Sequence, residues 1–514
     1  MGNSFPNVTA NINSAITAQT PDERSILIIA GMVAGTATSG ELVEDLNSVA
    51  SFNDAFGRTS QAAKAGRASI KNLSISRIRP KISAIALADN GAGVAAEGVV
   101  TFTTDATAAG TITVYVDSLI NGKYEIPVAV GDTPTVIGAA LVALIGANLD
   151  SPVTAVNVTG TVTLTAVNKG TEGNTIGLKY SIKTVTGTTV ALTAFASGAT
   201  NPVLTTLFDA ITDKRYTSIV YPESWGVTTL TNETESRFNV DNRVLDGTGI
   251  VCKLDTYANL DVAGDSYNQR TLTPLGNALE TGAKIEGGAI FESPIVIASQ
   301  FAASRELRLT VGSNVSSITT SGKNIGGFYF AAIPYHNTPF INLPVTPTGT
   351  GFSDLEAPEL ENSGFTLLRN NPANTVIICN EAVTSYKTDS LGDTDLTFKY
   401  LNYVDTLSIV RDYFFSNYKA DLSQKILTTG KMVAGLPQIN RAGFVGVSMG
   451  YYDKLSQLPY GLLRAGSTNR KAFKKALEDA TIVNLPTGTI TTESIANIVT
   501  QLRNVIVNFT PTFE

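Results

Sequence analysis

The spacing of apolar positions changes several times along the chain, and each change predicts a different kind of element. Residues 24–32 (Arg-Ser-Ile-Leu-Ile-Ile-Ala-Gly-Met) are a continuous apolar run, as expected of a strand buried on both faces. A helical stretch near 40–56 and a further strand over 69–78 are predicted to follow. Before the first run, residues 5–20 carry Val8, Ala10 and Ile12 at period two between Pro6 and Pro21, extended in pattern but too weakly apolar to make a core. The far end mirrors this. Val505, Val507 and Phe509 fall on one face at period two, and Pro511 suits the end of an edge strand. Residues 492–502 read as a helix, with Ile495, Ile498, Val499 and Leu502 on one face. The terminal strand therefore has no hairpin partner and must pair at a distance, within its own chain or with another copy.

Between these ends the text switches abruptly at residues 89–98. From 98 to 200 it is rich in Thr, Val, Ala and Gly and holds only ten charged residues. Seven short strands are predicted there, at 99–103, 111–116, 124–128, 153–158, 162–167, 176–182 and 188–193, separated by turn residues. One helix interrupts them. Asp132 or Thr133 can cap it, Pro134 takes its first position and residues 136–147 form its body. The stretch reads as a β-rich domain inserted into an α/β unit. After 200 the α/β pattern resumes, with helices expected at 203–213, 233–244, 294–307 and 401–417. Strands are expected at 218–221, 249–254, 328–333, 365–368 and 376–380, and a Pro/Gly/Thr-rich loop at 337–356.

These readings give a multidomain α/β (α+β) chain with mixed-sheet core domains, an inserted β-rich domain and extended N- and C-terminal arms. The expected parts are an arm at 1–23, a middle domain from 24–97 and 201–363, the insert at 98–200, a C-terminal domain at 364–501 and a strand arm at 502–514. At 514 residues, more than one core is expected.

Composition narrows the function. Hydrophobic residues make up 43% and charged ones only 16%, below the roughly 25% of an average soluble protein. Such a surface suits subunits packed against one another. The net charge of −7 argues against phosphate-driven nucleic-acid binding. Cys252 and Cys379 sit in apolar runs and read as small buried hydrophobes, outside any disulfide or metal framework. The first six residues lack a signal-peptide profile and the longest apolar run, 136–147, is too short to span a bilayer, so cytoplasmic assembly without membrane insertion is expected.

Candidate chemistry dissolves on inspection. Gly446-Val447-Ser448-Met449-Gly450 matches a hydrolase nucleophile elbow, but that chemistry needs a histidine later in the chain and the only one, His336, lies upstream. His336, beside a strand end, reads as structural. Gly91-Ala92-Gly93-Val94-Ala95-Ala96 echoes a dinucleotide fingerprint yet leads into a strand where phosphate binding needs a helix N-terminus. Gly322-Lys323 and Gly430-Lys431 lack the rest of a phosphate loop. No catalytic, cofactor or metal site is expected, and the chain reads as a non-enzyme. One charged constellation remains. Residues 469–478 predict a helix capped by Ser467 or Thr468, with Ala472, Phe473, Ala476 and Leu477 inward and Lys471, Lys474, Lys475 and Glu478 outward, beside Arg470. This is a solvated basic face or a dock for an acidic partner.

Two blocks carry a resemblance. Inside the insert, Asp132-Thr133-Pro134-Thr135-Val136-Ile137-Gly138-Ala139-Ala140-Leu141 is followed by Leu149-Asp150-Ser151-Pro152-Val153-Thr154-Ala155. Then Thr161-Val162-Thr163-Leu164-Thr165-Ala166-Val167-Asn168-Lys169 runs into Gly170-Thr171-Glu172-Gly173-Asn174. The second block is Glu381-Ala382-Val383-Thr384-Ser385-Tyr386-Lys387, then Asp393-Thr394-Asp395 and the helix through Tyr403-Val404-Asp405-Thr406-Leu407. The chain resembles the contractile tail sheath proteins of Mu-like and related bacteriophages, in arrangement over most of its length and in motif over about a quarter. It departs from them after Leu436.

The resemblance implies a subunit that stacks in rings around an inner tail tube and contracts to drive that tube through a host envelope. Its implied partners are further copies of itself, the tube protein, and baseplate and terminator proteins; its implied place is the virion tail. Val8, Ala10, Ile12, Val505, Val507 and Phe509 would lie on arms that add strands to neighbouring copies. The insert would be an outward protrusion, and Arg470, Lys471, Lys474 and Lys475 are candidates for the tube contact. The sheath of a bacterial injection machine is the nearest alternative. A β-rich surface adhesin is a further one, but it would need an export signal.

Overall fold

The computed structural model describes residues 24–74, 79–211, 214–238, 247–279, 290–314, 319–320, 323–324, 333–336, 338, 343, 351–370, 376–379, 381–422, 424–428, 431–457, 461–479, 481–483 and 489–491. Both arms, with Val8, Ala10, Ile12, Val505, Val507 and Phe509, lie outside these, as do the helix expected at 492–502 and nearly all of the strand expected at 328–333.

In chain order, β1 (Ser25–Gly31), β2 (Leu42–Val43), α1 (Val49–Phe56), α2 (Gln61–Leu73) and β3 (Lys81–Leu87) precede the insert. The insert holds β4 (Ala95–Thr103), β5 (Gly110–Val116), β6 (Lys123–Val128), α3 (Pro134–Ala147), β7 (Val153–Val158), β8 (Thr161–Lys169), β9 (Leu178–Lys183) and β10 (Thr189–Ala196). Then come β11 (Ser218–Val220), α4 (Thr228–Phe238), β12 (Thr248–Asp255), α5 (Tyr257–Asp265), β13 (Leu272–Ala278) and α6 (Pro294–Asn314). The hairpin β14 (Thr319–Thr320) and β15 (Lys323–Asn324), α7 (Glu356–Asn362), β16 (Thr366–Asn370) and β17 (Val376–Ile378) follow. The chain closes with α8 (Leu401–Leu422), β18 (Ile426–Leu427), β19 (Gln438–Ile439), α9 (Arg441–Ser456), α10 (Ser467–Glu478), β20 (Thr481–Val483) and β21 (Thr489–Thr491).

The described residues fall into two compact units. One comprises those of Glu23–Thr310 and His336–Lys399, the other those of Val311–Tyr335 and Tyr400–Glu514. The first is organised by an eight-stranded sheet in the order β17-β16-β13-β12-β11-β1-β3-β2. Its inner strands run parallel, and β2 and β17 are antiparallel edges. All seven residues of β1 are buried, which is why the run 24–32 shows no alternation. β16 continues the parallel ladder beside β13, and Phe365, Leu367 and Cys379 enter the same core, so these residues pack within the first unit.

Local corrections have local causes. Residues 40–48 are not helical, since Ser48 caps α1 by accepting from the Ser51 backbone N–H. Of the strand expected at 69–78, residues 69–73 are instead the end of α2, whose small residues Ala62, Ala63, Ala65, Gly66 and Ser69 are buried, and 75–78 lie outside the described residues. A Cβ on Gly66 would stand 2.2 Å from the Phe52 ring, so α2 packs there through bare backbone. Among the described residues of the helix expected at 203–213, only a single 3-10 turn forms, Asp209–Ile211.

The insert leaves at the carboxyl end of β3 and returns before β11. Its entry and exit are clasped together, with the Val94 N–H donating to the Ala199 carbonyl at 2.9 Å and the Ala199 N–H donating back at 3.2 Å. All seven predicted strands form. They make a four-stranded sheet, β10-β4-β8-β7, and a three-stranded one, β6-β5-β9. With α3 they share one core of Val100, Ile112, Val114, Ile126, Leu141, Val162 and Leu164, among others. Of the two candidate caps, Thr133 accepts from the Val136 N–H, while Asp132 accepts from the Ala129 N–H.

Candidate interaction surface

The second unit is built on rings. Phe473 of α10 stacks on Tyr452 of α9 (centroids 4.7 Å apart, planes at 29°) and lies 5.8 Å from Phe414 of α8. Tyr418 stacks on Phe444 at 5.5 Å, and Phe414 meets Tyr451 nearly edge-on at 5.9 Å. Aromatic pairs of this kind add directional preference to area burial, so they fix helix rotation as well as helix contact.

The elbow-like motif is part of this packing. Gly446–Gly450 lies inside α9, a helix that Asn440 starts by accepting from the Gly443 N–H at 2.9 Å. The buried Ser448 accepts the Tyr418 hydroxyl at 2.7 Å and donates to the Phe444 carbonyl at 2.8 Å. Burial pushes the Tyr418 phenol up to about 12, which keeps it a neutral donor. Ser448 is therefore a structural hydroxyl on a helix, not a nucleophile on a sharp turn. Gly91–Ala96 runs into β4 as expected, with Asn90 Oδ1 closing the turn on the Ala92 N–H. Cys252 and Cys379 are free and buried, and burial raises both thiols. Among the described residues no group of His, Cys, Asp and Glu could hold a metal ion, and no helix is long and apolar enough to cross a membrane.

The basic helix forms as α10, with two differences. Gly466, at φ 132°, occupies the cap position without a side-chain bond, so Ser467 is the first helical residue and neither Ser467 nor Thr468 is the cap. The inward stripe is only Phe473 and Leu477; Ala476 is half-buried and Ala472 exposed. Arg470 is committed to Asp453 by two bonds at 2.7 and 2.8 Å. Lys474 pairs with Glu478 at 3.2 Å, and Lys471, Lys474 and Lys475 all face solvent. The Lys471–Lys475 face is thus anchored by the ring cluster beneath it and oriented by the Arg470 fork. The α9 helix was not legible in the sequence, because Gly443, Gly446 and Gly450 lower its propensity and its apolar residues girdle it. Its one sequence signal is Asn440 at the cap.

No family model matches the chain. Over 195 residues it is 30% identical to the Mu-like prophage FluMu tail sheath protein of Haemophilus influenzae. The resemblance to a tail sheath protein is real. The match covers 37% of this chain and 38% of that relative, so the chain spans about four-tenths of its length. Among solved structures, a sheath tail protein from Listeria innocua aligns over 88% of both chains at 13% identity and a TM-score of 0.41. A chain of the anti-feeding prophage baseplate aligns over the whole of both at 8% identity and 0.46. Both scores lie below 0.5 and carry no weight.

Proposed function

We propose that this chain is a structural subunit of a contractile tail sheath, polymerising around an inner tube and contracting to drive it through a host envelope for genome delivery. The observation that carries this reading is the 195-residue likeness to a protein named as a tail sheath. The low charge content and the lysine face on a rigid aromatic base support it. In this reading the chain works within a virion tail, assembled in the host cytoplasm, with other copies of itself, a tube protein, and baseplate and terminator proteins as partners. Arms at 1–23 and 502–514 lend strands to adjoining copies through Val8, Ala10, Ile12, Val505, Val507 and Phe509. The insert projects outward, and Arg470, Lys471, Lys474 and Lys475 face the tube. The motion is driven by energy stored in assembly, so no nucleotide site is required.

Negative-stain microscopy of the purified full-length protein tests the reading. Long hollow cylinders are expected; discrete monomers at all concentrations would overturn it. Reversing Lys471, Lys474 and Lys475 to Glu is expected to leave the subunit folded but stop sheath forming on tubes. Normal co-assembly of that variant would remove the tube assignment alone.

A further inference from the structure

The inserted module meets the body of its unit through largely buried charge. Lys64 of α2 pairs with Asp117, which follows β5 in the module, and donates to Ser293 Oγ at 3.3 Å. Ser118 Oγ donates to Glu292 Oε2 at 2.8 Å, and the same two residues form a β-bridge between module and body. Glu172 of the module turn Thr171–Thr175 accepts the Ser224 hydroxyl from the body. Asp117, Glu172 and Glu292 are 4%, 4% and 7% exposed, and the Lys64 side chain 17%. Lys64 pairs directly with Asp117 alone, and its charge reaches the other two buried carboxyls only through space. The remaining charges nearby are already matched. Glu223 pairs with Lys253 at 3.3 Å and accepts the Tyr267 hydroxyl at 3.0 Å. Asp150 holds Arg58 at 2.7 Å and Arg67 at 3.4 Å. Lys71 is exposed on the rim of a cavity of about 430 Å³ that separates α2 from the loop after β5 and is lined by Lys64, Arg67, Asp117, Ile120 and Glu292. Cys252, whose raised thiol feels both Glu172 and Glu223, stays neutral.

Buried like charges around one counter-charge cannot all ionise without cost, and the cheapest relief is to bind protons or to let water in. We propose that this joint is a proton-operated latch: with Glu172 and Glu292 neutral it holds the module against α2, and with both ionised it releases the module as water fills the cavity. Burial, the larger cause, pushes both carboxyls up to about 7 from 4.5; the Asp117 charge adds to it for Glu292. Below 4.5 the groups are protonated whether the joint is closed or open. Between 4.5 and about 7 only the closed joint keeps its protons, so closure weakens as pH rises through that window and has lost this support above it. The inference does not depend on the sheath reading.

Hydrogen exchange on the full-length protein tests it. After correction for intrinsic rates, peptides covering 61–74 and 117–122 are expected to lose about tenfold protection between about pH 5.5 and about pH 8, while those in β1 stay unchanged. In the E172Q/E292Q double variant the loss should vanish, leaving protection high at both ends. Infrared spectra of the wild type, which need no variant to fold, should show a buried carboxylic-acid C=O band that disappears with a midpoint near 7. Flat wild-type protection, absence of that band, or a pH-dependent loss surviving in the double variant would each overturn the latch.

Discussion

In the inserted module, Val100, Ile112, Val162 and Leu164 reach their core from strands whose side chains alternate, and every second residue is free to be Thr or Ala. In the helical unit of α8, α9 and α10 the core is a set of interlocking rings, Phe414, Tyr418, Phe444, Tyr451, Tyr452 and Phe473, drawn from three helices. The module is assembled from many small, interchangeable contributions written locally. The helical unit depends on a few large side chains that meet only after the helices have packed.

The difference can be broken at its strongest point first. Phe473→Ala removes a ring stacked on Tyr452 and neighbouring Phe414, and is expected to cost about 3–5 kcal/mol. Urea unfolding followed by near-ultraviolet dichroism should show the aromatic signal falling at lower denaturant while the module's exchange protection is unchanged. Leu164→Ala, at a fully buried position of β8, should cost about 2–5 kcal/mol, with the aromatic signal of the helical unit left intact. Equal loss of that signal in both variants would mean the two cores are one cooperative system. The finest test is Thr133→Ala, which takes the cap from α3 and should lower module stability by about 0.5–2 kcal/mol. A null effect would show that Pro134 and the packing of Ile137, Leu141 and Ile145 alone hold the helix.

The same contrast explains what could be seen in the sequence. The module was legible strand by strand because period-two alternation and turn residues are local signals. Val162, Leu164 and Ala166 fall on the buried face as their spacing predicts. The run 24–32 was legible for the opposite reason, being apolar throughout. α9 was not, since its glycines argue against a helix and its place is set by Tyr418 and Tyr451 across the interface. α2 was missed altogether because Ala-, Gly- and Ser-rich text has little hydrophobic contrast, and only its fit against Phe52 reveals the buried side. Among the candidate contact residues, the exposure of Lys471, Lys474 and Lys475 followed from helical spacing, whereas the capture of Arg470 by Asp453 joins two helices and is invisible to any local pattern. The joint around Lys64 lay equally out of reach, its groups coming from positions 64, 117, 172 and 292.

One small clasp has a wider consequence. Because Val94 and Ala199 exchange both backbone bonds, their Cα atoms stand about 5.5 Å apart, a gap that a two-residue turn bridges. The whole cassette between them is therefore portable: a short hairpin could close the wound it leaves, and a foreign cargo could be grafted there without rethreading the parallel sheet. The excision would strand Lys64, Glu292, Arg58 and Arg67, whose partners Asp117, Ser118 and Asp150 leave with the cassette, and replacing those four with neutral residues is the repair such a graft requires.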